Sequence, residues 1–407
     1  VAIGCGDDVP DVSGGSGEAL PNGTGAVNAS STTAAMASTG PADDTTGSSS
    51  SGSGTSAEPD PRLAITADWQ AGSLSLIDLE GLAAGATSYE DVLVDTVDLS
   101  AYPPGPLQVE LTPDGATAVV TTSPGFFDGL VGNLIGVGDV ELDGALLIVD
   151  IASRSVTAEL QPAHVPMGIA ITPDGTTAYT ANYGTSESAG TTMTVVDLSA
   201  GAIVEDIEVG TRPEQVSLSA DGSLGIINLA SDGTIRVFET MDPAGTLSTP
   251  LETSDDPSDV DFIEGTDFAV VSNSQSPAVY TIVDVSDPAA PTIVEEPPEP
   301  GGFLYVATPI VGTQDVIVTA TNFSVTTVLR VSVSQTPTEV VWRTDRDMTT
   351  AFPLGAAVAE DLGVVLTVAP GANQLLVHDL ADGEEIAAVP WLDPISPMYV
   401  AVQPVGR

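Results

Sequence analysis

The sequence predicts an all-β protein, a seven-bladed β-propeller closed by the C-terminal strand completing the first blade. Three observations carry this reading. Short alternating strands recur in units of roughly 45 residues from Arg62 onward, a period typical of four-stranded propeller blades. The units repeat the same landmarks, a turn near the start and a strand end farther on that is acidic in six of seven. The two ends of the repeating region hold complementary fragments of one unit.

Residues 1–61 differ in kind from the rest of the chain. They hold 11 Gly, 11 Ser and 7 Thr, eight acidic residues and no basic one. Such a stretch buries too little apolar surface to offset its ordering entropy, so it is expected to be a disordered tether. A coil of this composition reaches roughly 40 Å, from about 5–6 Å times the square root of its length. Val1-Ala2-Ile3-Gly4-Cys5 resembles the end of a bacterial lipoprotein signal, cut off from its basic and apolar upstream part. That resemblance implies lipidation at Cys5, and Gly6 in place of Asp implies an outer-membrane lipoprotein in the envelope of a Gram-negative bacterium. With Cys5 the only cysteine, no intrachain disulfide can form.

Residues 62–407 form the propeller. Its turn signatures are clearest in Thr112-Pro113-Asp114-Gly115, Thr172-Pro173-Asp174-Gly175 and Ser219-Ala220-Asp221-Gly222. Asp caps such a turn, and Gly takes positive φ without a steric cost. The second landmark is a strand end at Asp78, Asp150, Asp197, Glu239, Asp284, Ser332 and Asp379, with spacings of 72, 47, 42, 45, 48 and 47. Six of these seven are acidic, which suits a side chain that caps the following turn rather than a ligand site. The long first spacing reflects a Gly-rich apolar insertion over 123–144. Asn182, Asn228, Asn273 and Asn322 end second strands, where a short amide can bridge the backbone of a turn.

The first unit, from Leu63, has no innermost strand, whereas Pro397 to Val402 reads as an orphan innermost strand after the seventh unit. Joining the two closes the ring and removes exposed edges, so a monomer is expected. A chain stopping at Val389 should not close. An open solenoid would not need the orphan strand, and tandem sandwiches would not repeat this frame.

Pro166-Met167-Gly168-Ile169-Ala170-Ile171-Thr172-Pro173-Asp174-Gly175-Thr176-Thr177-Ala178-Tyr179-Thr180-Ala181-Asn182, continued by Thr194-Val195-Val196-Asp197, closely resembles the YVTN family of propeller repeats. The fourth unit keeps Pro213, Asp221-Gly222 and Asn228, while the seventh has Val368 where Asn would fall. The resemblance implies the propeller fold and an exported protein. It leaves activity open, since related propellers include lactonases and electron-transfer subunits.

The chain carries 57 acidic residues against 8 basic ones, for a net charge of −49. That repels polyanions, so nucleic acid and anionic lipid are excluded as partners, and contact with membrane is expected only through lipidated Cys5. Two His and one Cys rule out a zinc site built on several of them. Walker, dinucleotide and Gly-x-Ser-x-Gly signatures are absent. Adjacent residues of a strand face opposite ways, so His378-Asp379 makes a poor dyad.

The loops leading from one blade into the next should share one rim. Tyr102, His164, Arg212, Asp255, Asp256, Arg346, Asp347, Trp391 and Asp393 collect there as a candidate surface for a protein or glycan ligand. Arg212 and Arg346 suit a carboxylate or phosphate, with pairing to nearby Asp as the alternative. Asp255, Asp256, Asp259 and Asp261 form the densest acidic cluster; it lacks EF-hand spacing and reads as a solvated loop. No cofactor is expected, Ca²⁺ being the one ion an all-carboxylate site would take. The function expected is a tethered recognition or scaffold module. The alternatives are a lactonase-like hydrolase with a carboxylate-bound divalent metal in the channel, and a structural envelope protein.

Overall fold

The computed structural model describes residues 61–124, 143–185, 187–253, 256–274, 279–296, 303–322, 324–334, 336–348, 353–391 and 395–405. The tether, Cys5 and most of the 123–144 insertion lie outside these. The described residues form seven antiparallel four-stranded sheets.

Taken from the channel outward, blade 1 is Pro397–Val402, Leu63–Asp68, Ser73–Asp78 and Leu93–Asp98. Blade 2 is Pro106–Leu111, Thr117–Thr122, Ala145–Asp150 and Ser155–Leu160; blade 3 is Ile169–Ile171, Thr177–Gly184, Ala189–Asp197 and Ala202–Glu208. Blade 4 is Pro213–Leu218, Leu224–Leu229, Thr234–Glu239 and Leu251–Glu252; blade 5 is Pro257–Phe262, Phe268–Asn273, Val279–Asp284 and Thr292–Glu295. Blade 6 is Phe303–Pro309, Asp315–Thr321, Val325–Ser332 and Glu339–Asp347; blade 7 is Gly355–Ala359, Val364–Ala369, Gln374–Asp379 and Glu385–Pro390.

The last strand pairs with the first in antiparallel register, Ile65 opposite Ala401 and Thr66 opposite Val400. Blade 1 is thus completed from the far end of the chain, as the orphan strand predicts.

The middle strands are largely buried on both faces because each sheet is covered by a neighbour on either side. Much of the core accordingly lies in buried clusters between adjacent blades. Ile65, Leu76, Val120 and Leu147 join blades 1 and 2, for example, while Ile77, Leu366, Val377 and Val400 join blades 7 and 1 and close the ring.

The Asp-Gly turns are built alike. Asp174 accepts from the Thr172 hydroxyl at 2.7 Å and from the Thr176 amide at 3.0 Å, and Gly175 takes φ 71°. The acidic strand ends cap locally: Asp78 accepts from Gly81 N, Asp150 from Ser153 N, Asp197 from Ala200 N, Asp284 from Ser286 N and Asp379 from Ala381 N.

The Asn residues differ among themselves. Asn322 accepts from Ser324 and Val325 amides in a turn. Asn182 and Asn273 instead donate to third-strand threonines of their own blades, and Asn228 links blade 4 to blade 5. Short helices at Leu79–Ala83, Tyr89–Val92 and Pro243–Thr246 interrupt an otherwise all-β chain.

Candidate functional site

An innermost strand pairs on one side only, so its other edge of N–H and C=O groups faces the channel and needs partners. Side chains of the adjacent blade supply several. Gln108 Oε1 accepts from Ile169 N at 3.1 Å, joining blades 2 and 3, and Asp259 Oδ2 accepts from Ala307 N at 2.9 Å, joining blades 5 and 6. Polar residues therefore belong on these strands for structural reasons, and they also bring their functional groups to the axis.

Small residues narrow the ring. A Cβ on Gly168 would lie 2.5 Å from Glu214 O and 2.6 Å from Gln215 Cα, so blades 3 and 4 approach backbone to backbone. Gly355 does the same for blades 7 and 1, where a Cβ would lie 2.7 Å from Tyr399 Cα.

Within the ring is a cavity of ≈ 300 Å³, lined among others by Gln108, Glu110, Gln215, Ser217, Asp261 and Tyr399. Its lining runs from the middle of the innermost strands to their C-terminal ends, the side of the Asp-Gly turns. At the opposite end Leu107, Met167, Leu354 and Met398 are buried with Trp69 in an apolar cluster, against which Tyr183, Tyr305 and Tyr399 pack.

The carboxyl groups of the channel interact along its length. Burial pushes Glu110 up to about 7. Burial also raises Asp261, and the charges of Asp259 and Glu110 raise it further. Glu214, near the apolar end, is driven well up by burial and then by Asp256 and Asp259. Glu110 and Asp261 keep partial water contact, but the ring of strands surrounds them, and that removes most of the hydration a carboxylate needs. Tyr399 donates no hydroxyl proton readily either: burial raises it, with Asp259 next, while its oxygen accepts from Gln215 Nε2 at 2.8 Å.

Of the rim residues predicted from sequence, the structure brings two together. Arg212 and Asp256 immediately precede Pro213 and Pro257, and both hold left-handed backbone, at φ 54° and 61°. L-residues adopt that conformation at a cost. The Arg212 guanidinium lies 4.9 Å from the Tyr183 ring centroid, and the charges of Arg212 and Asp256 both act on Tyr183 and Glu214. Tyr102 packs half-buried on the junction of blades 1 and 2, and His164 is half-buried in its loop.

Three rim assignments are corrected. Arg346 and Asp347 lie on the outermost strand of blade 6, opposite Thr326 and Val325, because the partner strand is itself eight residues long. Arg346 pairs there with Glu385. Trp391 is 4% exposed and packs tilted against Tyr89 with ring centroids 5.1 Å apart, so it serves the core. Asp255 and Asp393 lie outside the described residues.

The acidic cluster also changes meaning, since Asp259 and Asp261 sit on the innermost strand of blade 5 rather than in a solvated loop. Among the described residues no group of three or more His, Cys, Asp or Glu side chains is placed to hold a metal ion. Sequence reasoning overlooked Glu110, Gln108, Gln215 and Ser217, which look like the solvent-facing half of an alternating strand. The available signal was position, between a leading proline and an Asp-Gly turn, where neither face of the sheet meets solvent.

No protein-family model and no curated protein matches the chain. Solved structures share the fold. A periplasmic gluconolactonase of Pseudomonas aeruginosa is 13% identical with a TM-score of 0.64, over 84% of this chain and 99% of that one. A functionally unknown protein of Desulfotomaculum acetoxidans is 16% identical with a TM-score of 0.61, over 84% and 100%. Kuenenia stuttgartiensis hydrazine synthase is 18% identical with a TM-score of 0.57, over 75% and 91%. At these identities the likeness establishes the propeller and nothing finer.

Proposed function

We propose that the protein is a recognition module whose central channel takes a small compound rich in hydroxyl or amino groups. The observation that carries this is the ≈ 300 Å³ cavity, lined by carboxyl, amide and hydroxyl side chains and by no Arg or His. Carboxylates and amide oxygens accept from O–H and N–H groups, and a carboxyl that keeps its proton also donates. An anion entering this cavity would meet like charge. The volume matches the lower end of small-molecule sites, about 300–1,000 Å³. Calorimetry with D-glucosamine, D-glucose and D-gluconate tests the class. Binding should favour the amine over the neutral sugar, exclude gluconate, and be lost in the Glu110→Gln, Asp261→Asn double variant. Tightest binding by gluconate, or affinities untouched by that variant, would overturn the reading.

A second reading, a lactone hydrolase, is favoured by one observation beyond the shared fold with a gluconolactonase. Asp259, buried, and Asp261, half-buried, stand two residues apart on the innermost strand of blade 5, and the Asp259 charge raises Asp261, so one can remain protonated while the other is ionised. The ionised member would take a proton from the attacking water while the protonated one gives its proton to the ring oxygen, leaving the open hydroxy acid. Lactone hydrolysis that survives chelator and fails in Asp259→Asn would support it.

The envelope location rests on the lipoprotein-like residues around Cys5 and on the resemblance of blade 3 to YVTN repeats. Among the described residues no helix is long and apolar enough to cross a membrane. Membrane association should then be lost in Cys5→Ser, because acyl chains contribute about 0.8 kcal/mol per buried CH₂ and nothing described replaces them. A Cys5→Ser protein that still sediments with membranes would defeat the anchor.

A further inference from the structure

Asp68 ends the second strand of blade 1, the blade completed from the other end of the chain. It is 0% exposed. Its position in the repeat is informative. Asp68 stands opposite the leading proline Pro397, and the residue opposite the leading proline of blade 5, Pro257, is Asn273. The Asn273 amide donates to Thr281 Oγ1 at 3.1 Å, and Asn182 in blade 3 donates to Thr192 and Thr194. An ionised carboxyl cannot donate. Asp68 accepts from Thr66 Oγ1 at 2.8 Å and from Ser75 Oγ, and Ser75 Oγ lies 2.8 Å from the Tyr89 hydroxyl.

The closing strand is fastened directly beside this group. Trp69 N donates to Ser396 O and Gln70 N to Ile395 O, each at 3.0 Å. The groups acting on Asp68 are the hydroxyls of Thr66, Ser73 and Ser75 and the backbone of Ser75, with no Arg or His among them. The titratable neighbour is Tyr89, on the helix Tyr89–Val92, whose own proton is held by burial and then by the Asp68 charge. Blade 7 contributes Trp391, which is uncharged and packs against Tyr89.

We propose that Asp68 is a proton-operated latch on the closing blade: its protonated form keeps Pro397–Val402 seated, and its ionised form loosens that strand. Hydroxyl partners stabilise a buried carboxylate only in part, because no positive charge offsets the lost hydration. Burial accordingly raises Asp68 to about 7. The sign comes from linkage. A carboxyl raised above its unfolded value stabilises the fold below the ordinary carboxylate range, and that stability is lost as pH rises through about 7.

Hydrogen exchange of the full chain, corrected for intrinsic rates, tests the latch in peptides covering 63–68 and 397–402. Protection there should fall about tenfold or more from pH 5.5 to 8.5, since one unit of pKa is a factor of ten. Asp68→Asn, which installs the side chain that blade 5 carries, should flatten the profile to less than about twofold on the same scale. Asp68→Thr, matching Thr122 opposite Pro106 in blade 2, provides a second uncharged variant. Wild-type protection independent of pH, or a fall that persists in an uncharged variant, would overturn the proposal.

Discussion

Asn228 accepts from Gln215 N at 2.7 Å and donates to the Pro257 carbonyl, so one buried amide ties its own innermost strand to the next blade. Replacing it with Ala strands a donor and an acceptor away from water, and Asn228→Ala should cost about 1–3 kcal/mol in a denaturant titration. Asn228→Asp should cost more, because a carboxylate would face the Pro257 oxygen. Glu110 gives the matching pH prediction. Its carboxyl is raised to about 7 by burial, so its stabilising share is full below the ordinary carboxylate range and lost as pH rises through about 7. Glu110→Gln should therefore melt near the wild type at pH 5 and above it at pH 8; equal shifts at both would contradict the buried charge. The two residues also show what single positions reveal in sequence. Asn228 stands in a repeated frame and was legible as structural, although its partner is a neighbouring blade rather than a turn. Glu110 follows the ordinary alternation Val109-Glu110-Leu111, and only ring closure turns its surroundings into protein.

At the scale of elements, the signals that survive in sequence are local ones. An Asp-Gly turn is specified within about four residues, and the same bonds recur around Asp114, Asp174 and Asp221. The orphan strand was legible for a different reason, since a missing piece at one end matches a surplus at the other. The helices Leu79–Ala83 and Tyr89–Val92 were not, because five and four residues are too few for a helical period to show. The end of the outermost strand of blade 6 was also misplaced, since strand length there is set by its partner. Close approach between innermost strands is likewise a property of pairs of elements. Gly168 sits where a Cβ would meet Glu214 O at 2.5 Å, an atom of backbone that cannot rotate away. Gly168→Ala should push blades 3 and 4 apart and cost about 1–3 kcal/mol, as overpacking does. An unchanged denaturation midpoint would show that the seam has slack.

At the scale of the whole molecule, charge governs stability in a way no single contact does. From Arg62 onward there are 49 acidic residues and eight Arg. Among the described residues Arg62 pairs with Asp361, Arg154 with Asp95, Arg330 with Asp315, Arg343 with Asp345 and Arg346 with Glu385. Arg236 turns instead to the Ser248 and Val209 carbonyls. The remaining carboxylates far outnumber the available cations, and their mutual repulsion opposes the compact state. Salt shortens the reach of that repulsion to about 10 Å at 0.1 M and about 3 Å at 1 M. The melting temperature should therefore rise as NaCl is raised from about 10 mM to about 0.5 M, most steeply at the low end where the screening length changes most. Screening depends on ionic strength rather than on ion identity, so tetramethylammonium chloride should reproduce the curve. A rise with Na⁺ but not with the bulky cation would point to a bound ion. A melting temperature that is flat or falls in both salts would remove repulsion as a determinant of this fold.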